Sequence, residues 1–316
     1  MIVSYVIKRI FYMIPILFGV SLLVFSMIYL IPGDPARMML GQSASPEAVQ
    51  QLRDKLGFND PFIIQYGAWL LDVLHGDLGT SITMRIPVTA FLIPKLLNTL
   101  ILAAGGLIIC VIIGIGVGIA AALRKYTWFD RIIMFMAQFG ANAPAFWLAI
   151  TLMWLFSIKL GWLPSSGMYD VRTGDTFTGL LEHLILPAFA TATVSLAVIA
   201  RLTRSSLIDV LNAEFIKTFR ANGISESKII SKHAFRNILP PLINMIGLQI
   251  GYLLGGALFV EVVFNWPGIG SQIYASITSQ DLPMVQAGVL FIAISFVVVN
   301  LINDVFIASL NPRLKN

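Results

Sequence analysis

The chain has 316 residues, 57% of them hydrophobic and only 12% charged, with a mean hydropathy of +0.85. Soluble domains carry about a quarter charged residues, so the composition excludes a soluble globular domain and predicts an all-α polytopic membrane protein embedded in a lipid bilayer. The net charge of +5 is dispersed among apolar stretches, which gives no footprint for nucleic acid, and a single cysteine, Cys110, excludes a disulfide framework or thiolate metal site within one chain.

Crossing the hydrocarbon core takes about 20 apolar residues. Six stretches qualify: 10–31, 97–123, 132–158, 184–205, 239–263 and 284–309. Lys8 and Arg9 precede the first, as in a signal peptide. Its run to Ile31 is longer than the roughly 7–15 residues of a signal core, and Ile-Pro-Gly-Asp follows in place of a small-residue cleavage site. It reads as an anchor.

Residues 32–96 form an external segment with its own structure. Pro46–Leu56 is predicted as a helix, with Ser45 at its cap and Pro46 in its first turn. A second helix is predicted over Phe62–Leu74, rich in Tyr66, Trp69 and Leu70. Recurrent aromatic residues and the lack of low-complexity runs predict a small helical cap rather than a linker.

Within the spans, Gly114 and Gly118 stand four apart, as do Gly247, Gly251 and Gly255, followed by Gly256. Such rows let helix backbones approach closely, within this chain or against another subunit. Asn142 and Pro144 interrupt the third span, which predicts either a packing kink or a break facing a water-filled path. His183 follows Glu182 at an outer boundary and reads as half of a surface pair. Glu261, at the outer end of the fifth span, marks a polar path or snorkels to the interface.

Between the fourth and fifth spans lies a polar, basic, helix-prone stretch, Leu207–Pro241. A connector needs only a few residues, whereas this one encodes two short amphipathic helices. Phe215, Phe219 and Asn222 fall on one side of the first, with Glu214, Lys217 and Arg220 keeping it soluble. Gly223 stops it by taking the left-handed conformation. Ser225 is expected to cap the second helix through its hydroxyl, with Glu226 in the first turn. Pro240 and Pro241 are expected to end it at Leu239.

Basic residues set the orientation. Lys8, Arg9, Arg124, Lys125, Arg131, Arg201, Arg204, Lys217, Arg220, Lys228, Lys232, Arg236, Arg313 and Lys315 flank one side, against Lys159 and Arg172 in the short loops of the other. Both termini and the central elbow are therefore cytoplasmic. No phosphate-cradling G-x-x-x-x-G-K-[ST] loop and no H-E-x-x-H occurs, so neither nucleotide hydrolysis nor zinc proteolysis is expected. Few acids lie deep in the spans and no inverted repeat is evident, which disfavours an ion-driven secondary transporter; no convergent His, Asp or Ser set supports an intramembrane enzyme.

The elbow resembles the cytoplasmic loop of ABC importer permeases, in particular the B-type subunit of the peptide/nickel permease group. That group's R-A-x-G-x-S-E followed by H-A-x-R-N and a proline is met by Arg220, Ala221, Gly223, Ser225, Glu226, His233, Ala234, Arg236, Asn237 and Pro240. The Glu-Ala-Ala of many other importers is replaced by Lys217-Thr218-Phe219. PGDPAR (Pro32–Arg37), HGDLGTS (His75–Ser81) with Pro87-Val88, FNWPGIG (Phe264–Gly270) and NPRLK (Asn311–Lys315) look like the same group, in the same order.

The resemblance implies a type I importer transmembrane domain of six helices in a bacterial or archaeal cytoplasmic membrane. It divides the chain into 1–31, the external cap 32–96, and a five-helix core 97–316 whose coupling loop is 206–238. It implies a second, homologous permease subunit, two ATPase subunits that use ATP and Mg while this chain binds no cofactor, and an external binding protein. Glu214, Phe215, Lys217, Phe219, Arg220, Ala221, Gly223, Ser225, Glu226, His233 and Arg236 would couple to the ATPases. Asp34, Asp72 and Asp77 would face the binding protein, and Asn142, Pro144 and Glu261 the path. Di- or oligopeptides are the expected cargo, with nickel, a metal chelate or glutathione as alternatives.

Overall fold

The computed structural model describes residues 2–30, 34–40, 44–55, 57–170 and 174–310. Pro32 and Gly33, Leu56 at the end of the predicted cap helix, Arg172, and the terminal motif Asn311–Lys315 lie outside them. The helices are α1 (Ile2–Leu30), α2 (Pro35–Leu40), α3 (Pro46–Lys55), α4 (Phe62–Leu74), α5 (Val88–Leu123), α6 (Trp128–Asn142), α7 (Ala145–Leu152), α8 (Phe177–Leu211), α9 (Glu214–Ala221), α10 (Glu226–Lys228), α11 (Phe235–Val263), α12 (Ile269–Thr278) and α13 (Leu282–Leu310). Wider π-helical turns follow α7, over Met153–Lys159, and α10, over Ile229–Ala234.

Among the described residues, five helices are long and apolar enough to cross a membrane; α6 and α7 with its π turn make a sixth span only as a pair bent by 110°. The break falls at Ala143-Pro144, where the sequence placed it. Pro144 has no N–H, and its ring disfavours helical backbone at the residue before it; Ala143 is accordingly extended, with ψ 137°.

Two compact units form. One comprises Met1–Ile2, Thr99–Pro267 and Val299–Asn316, the other Val3–Asn98 and Gly268–Val298. The first is built around α8, whose inward faces carry small residues: Ala188, Ala190, Ala192, Ser195, Ala197 and Ala200 are all buried. Its buried threonines return their hydroxyls to the helix, Thr191 to Pro187 O (2.9 Å) and Thr203 to Ile199 O (2.7 Å), so no polar group is left bare in an apolar seam. The glycines of α5 lie against this surface. A Cβ at Gly114 would come 3.0 Å from Leu196 O, and one at Gly118 2.6 Å from Ala200 O. That row therefore serves a contact within the chain, where bare backbone is the only fit. On α11, a side chain at Gly247 would overlap the Asn303 carboxamide, whereas Gly255 and Gly256 meet nothing within 4 Å.

The fourth span begins earlier than its hydropathy predicts. Thr176 Oγ1 accepts Gly179 N at 3.2 Å and starts α8 at Phe177. Consecutive helical residues diverge, so Glu182 is exposed while His183 is buried with Nδ1 2.8 Å from Gly179 O. The expected surface pair is not formed. Glu261 does not snorkel either: it is fully buried and accepts Thr99 Oγ1 at 2.6 Å. A hydrogen-bonded carboxylate near a helix end tolerates burial when partners replace water.

In the other unit, aromatic residues join α1 to α4. Phe25 contacts Phe62, Tyr66 and Trp69 at centroid distances of 5.4–5.6 Å, and Ser21 Oγ shares a hydrogen bond with Tyr66 OH at 2.7 Å. The aromatic run anticipated over 62–74 is thus the cap's attachment to the first span. The buried carboxylate of Asp281, just before α13, takes the hydroxyls of Ser81 and Thr83 and the amide of Ile82.

Candidate functional site

The elbow grows from the cytoplasmic end of α8. Asn212 closes that helix, its Oδ1 accepting Lys125 Nζ at 3.1 Å, and extended Ala213 turns the chain into α9. One side of α9 is strongly apolar and the other polar. Ile216 is fully buried in a cluster with Leu207, Ile208, Ile229, Ala234, Ile238 and Leu242, and Phe219 packs against it. The elbow is therefore seated on α8 and α11 through its own core.

Gly223 adopts φ +74°. Its amide bonds Arg220 O at 3.0 Å, and the amide of Ile224 reaches back to Phe219 O at 3.1 Å. These two bonds form the Schellman helix stop, and Ile224 and Phe219, the apolar positions that accompany it, both pack against the elbow's buried cluster. Arg220 then crosses the turn to Glu226, through Nε to Oε1 and Nη2 to Oε2 (3.3 Å). Gly223 thus sets an angle between two arms that the ion pair holds.

The predicted residues divide by where they point. Glu214, Phe215, Lys217, Arg220, Ala221, Ser225, Glu226 and Arg236 are exposed. Lys217 Nζ reaches Glu214 at 2.6 Å along the helix, a pair that contributes a few tenths of a kcal/mol at most when exposed. Phe215 stands 41% exposed, an apolar ring presented to the cytoplasm. Phe219 meets it edge-to-face at 6.1 Å but turns inward, its ring 4.3 Å from that of half-buried His233. Phe219 and His233 therefore join the two arms.

Two local expectations are corrected. Ser225 occupies the cap position of α10 without a side-chain cap bond; its hydroxyl is exposed, and the first-turn acid is drawn to Arg220 instead. The second arm does not stop at Leu239. Helix continues through Pro240 and Pro241 to Val263. The prolines free the carbonyls of Arg236 and Asn237, both exposed residues whose carbonyls water can satisfy.

The remaining candidates lie elsewhere. Asn142 and Pro144 sit together at the α6–α7 break, both exposed, with Asn142 Nδ2 on Gln138 O at 2.9 Å; Glu261 is sealed in protein with Thr99. In the cap, Asp34 takes Arg53 at 3.0 Å and the Ala36 amide at 3.1 Å, Asp77 takes the Gly79 amide at 2.8 Å, and Asp72 is exposed on α4.

Sequence reasoning missed the brace above the elbow. Asp130, 2% exposed, receives Arg204 Nε and Nη2 at 2.6 Å each and the Tyr126 amide at 2.9 Å, joining α6 to α8. The Thr127-x-x-Asp130 start of α6 was a visible signal for a cap, but its partner is 74 residues away. Removing one member of a buried pair strands the other, at a cost of roughly 3–5 kcal/mol. Asp130→Ala should therefore lower the melting temperature of the purified protein, and the Asp130→Arg, Arg204→Asp exchange should recover part of it. A melting temperature unchanged in Asp130→Ala would show the pair to be dispensable.

The chain is a polytopic helical protein that presents a braced elbow to the cytoplasm. Residues 114–316 match the family model described as binding-protein-dependent transport system inner membrane component, and 2–100 match its N-terminal membrane component model. The chain is 40% identical to the dipeptide transport system permease protein DppB of Alkalihalophilus pseudofirmus, with 99% of each chain covered. It is 39% identical to the glutathione transport system permease protein GsiC of Escherichia coli K12, again over 99% of each. An inward-facing structure of the MetNI methionine ABC transporter matches with a TM-score of 0.56 at 16% identity, over 69% of this chain and 95% of that one. The chain belongs to the binding-protein-dependent transport family and is an ABC importer permease of the peptide/nickel group.

Proposed function

We propose that this chain forms half of the translocation path of an ATP-driven importer of di- or oligopeptides. A second, homologous permease supplies the other half, two ATPase subunits bind below, and a binding protein delivers cargo from outside in a bacterial or archaeal membrane. The observation that carries this reading is the elbow: a rigid two-armed projection, seated on α8 and α11, with Phe215 presented between Glu214 and Lys217. An exposed aromatic ring with a polar rim suits a groove on another protein. ATP and Mg would act on the ATPase subunits, and this chain would move as a passive lever. In the cap, Asp34 and the exposed Asp72 and Asp77 would face the binding protein.

Purification with the products of neighbouring genes tests the assembly. In proteoliposomes the complete set should take up labelled dipeptide with ATP, its hydrolysis stimulated by the binding protein, and this chain alone should do neither. Uptake or hydrolysis by the chain alone would refute the lever. The GsiC relatives favour glutathione as the second reading, which a ligand screen on the binding protein separates from dipeptides.

A further inference from the structure

Helix α8 is buried on most of its circumference but leaves one stripe open: Val194, Arg201, Ser205 and Asp209 are exposed along it. Its two arginines are treated differently. Arg204 is neutralised by the buried Asp130. Arg201 instead binds the neutral carboxamide of Gln138 on α6, and among the described residues it has no acidic partner within ion-pair distance. Asp209 lies two turns towards the cytoplasm on the same stripe, and the Ser205 hydroxyl caps Arg201 O at 3.1 Å.

Depth distinguishes Arg201 from an interfacial arginine. Side chains on a helix lean towards its N-terminus, which for α8 is the outer end, so this guanidinium leans into the membrane rather than out of it. Its partner agrees. Gln138 lies eight residues beyond Asp130 along α6, about 12 Å deeper at 1.5 Å per residue. It is one turn short of Asn142, whose side chain bonds Gln138 O at 2.9 Å, and about 9 Å short of the break at Pro144 at 1.5 Å per residue. An exposed cation bound to a carboxamide within two helical turns of broken backbone does not suit hydrocarbon; it suits a water-filled path that holds an anion.

We propose that Arg201, steadied by Gln138 and with Asn142 beside it, receives the carboxylate of the cargo on its way to the cytoplasm. The cargo class rests on the proposed function. An anionic group is what the site's charge demands, and an inner-leaflet phosphate is the other source of one. A guanidinium takes a carboxylate through paired N–H donors.

The test uses the assembled transporter in proteoliposomes, with dialanine and its C-terminal amide as cargo. Arg201→Gln should lower dialanine uptake about tenfold relative to wild type, the order expected for one charge-assisted contact. Arg201→Lys should keep most of it, and the amide should be nearly indifferent to either change. Equal losses for acid and amide overturn the assignment. So does a loss that follows the anionic phospholipid content of the vesicles, which assigns the cation to headgroups. Should the wild type carry neither peptide, the peptide reading fails, and the site is decided separately by Arg201→Cys. The native Cys110 is buried, so a membrane-impermeant sulfonate thiol reagent should modify position 201; no modification sinks the site whatever the cargo.

Discussion

Gly223→Val should leave the chain in the membrane at its normal level and lower ATP-driven uptake by about tenfold. A Cβ at position 223 meets nothing within 4 Å, so the substitution creates no clash, and the effect must come from the backbone. At φ +74° an L-residue carries a penalty of roughly 1–2 kcal/mol, and a β-branched one more, which is a factor of about ten in a conformational equilibrium. The chain escapes that strain by leaving the left-handed region. It then loses the bonds from Gly223 N to Arg220 O and from Ile224 N to Phe219 O, and with them the geometry that lets Arg220 reach Glu226. The buried seat of the elbow at Ile216, Ile229 and Ile238 survives, so the fold persists while the angle between the arms does not. Asn, which tolerates left-handed backbone, should retain most of the activity at this position. Uptake and binding-protein-stimulated ATP hydrolysis, each normalised to membrane level, report the outcome. Wild-type values of both in Gly223→Val would dismiss the elbow as a lever.

What could be read beforehand depended on how far apart the determining residues lie. The Schellman stop is written within six residues, Phe219 to Ile224, and the glycine announces it. The break at Ala143-Pro144 is likewise local, since proline alters the backbone of its own neighbours. Hydropathy located the spans because burial in lipid acts on every residue of a run. It could not show which polar residues within a span are satisfied by protein. Glu261 looks like a residue seeking water until Thr99, 162 residues away, is placed against it. Pro240 and Pro241 misled for a related reason: the carbonyls they free belong to Arg236 and Asn237, both exposed, so the helix can continue through them. Phe215 and Phe219, equivalent by helical spacing, differ because His233 arrives from the second arm to cover one of them. The two arginines of α8 differ because only one meets an aspartate from α6.

The largest loss of stability in the unit formed by Val3–Asn98 and Gly268–Val298 is expected from Asp281→Ala. This carboxylate is 1% exposed and sits at the start of α13, where it accepts the Met284 amide at 3.4 Å, the Thr83 hydroxyl at 2.7 Å, the amides of Ile82 and Thr83 at 3.2 and 3.3 Å, and the Ser81 hydroxyl. It thus pins the turn after the HGDLGTS motif to a helix start some 200 residues later in the chain and lies where a helix dipole favours negative charge. Removing it leaves several buried donors without an acceptor, at roughly 1–3 kcal/mol for each that water cannot reach. Asp281→Asn should recover little, because its amide end would bring donors to donors. Burial alone would raise the carboxyl's pKa, but the hydrogen bonds from Ser81, Thr83 and the Ile82 amide outweigh it and hold the pKa below the usual carboxylate range. A depressed pKa means that folding favours the charged form, so the contribution is complete above the unfolded value of 3.8 and is lost only as pH falls through the lower folded one. Proteolysis of residues 75–88 should therefore be equally slow in the wild type at pH 8 and pH 5, and in Asp281→Ala fast at both. Equal protection of the two proteins would mean that Asp281 does not hold the turn, and a wild-type loop that loosens between pH 8 and 5 would contradict the depressed pKa.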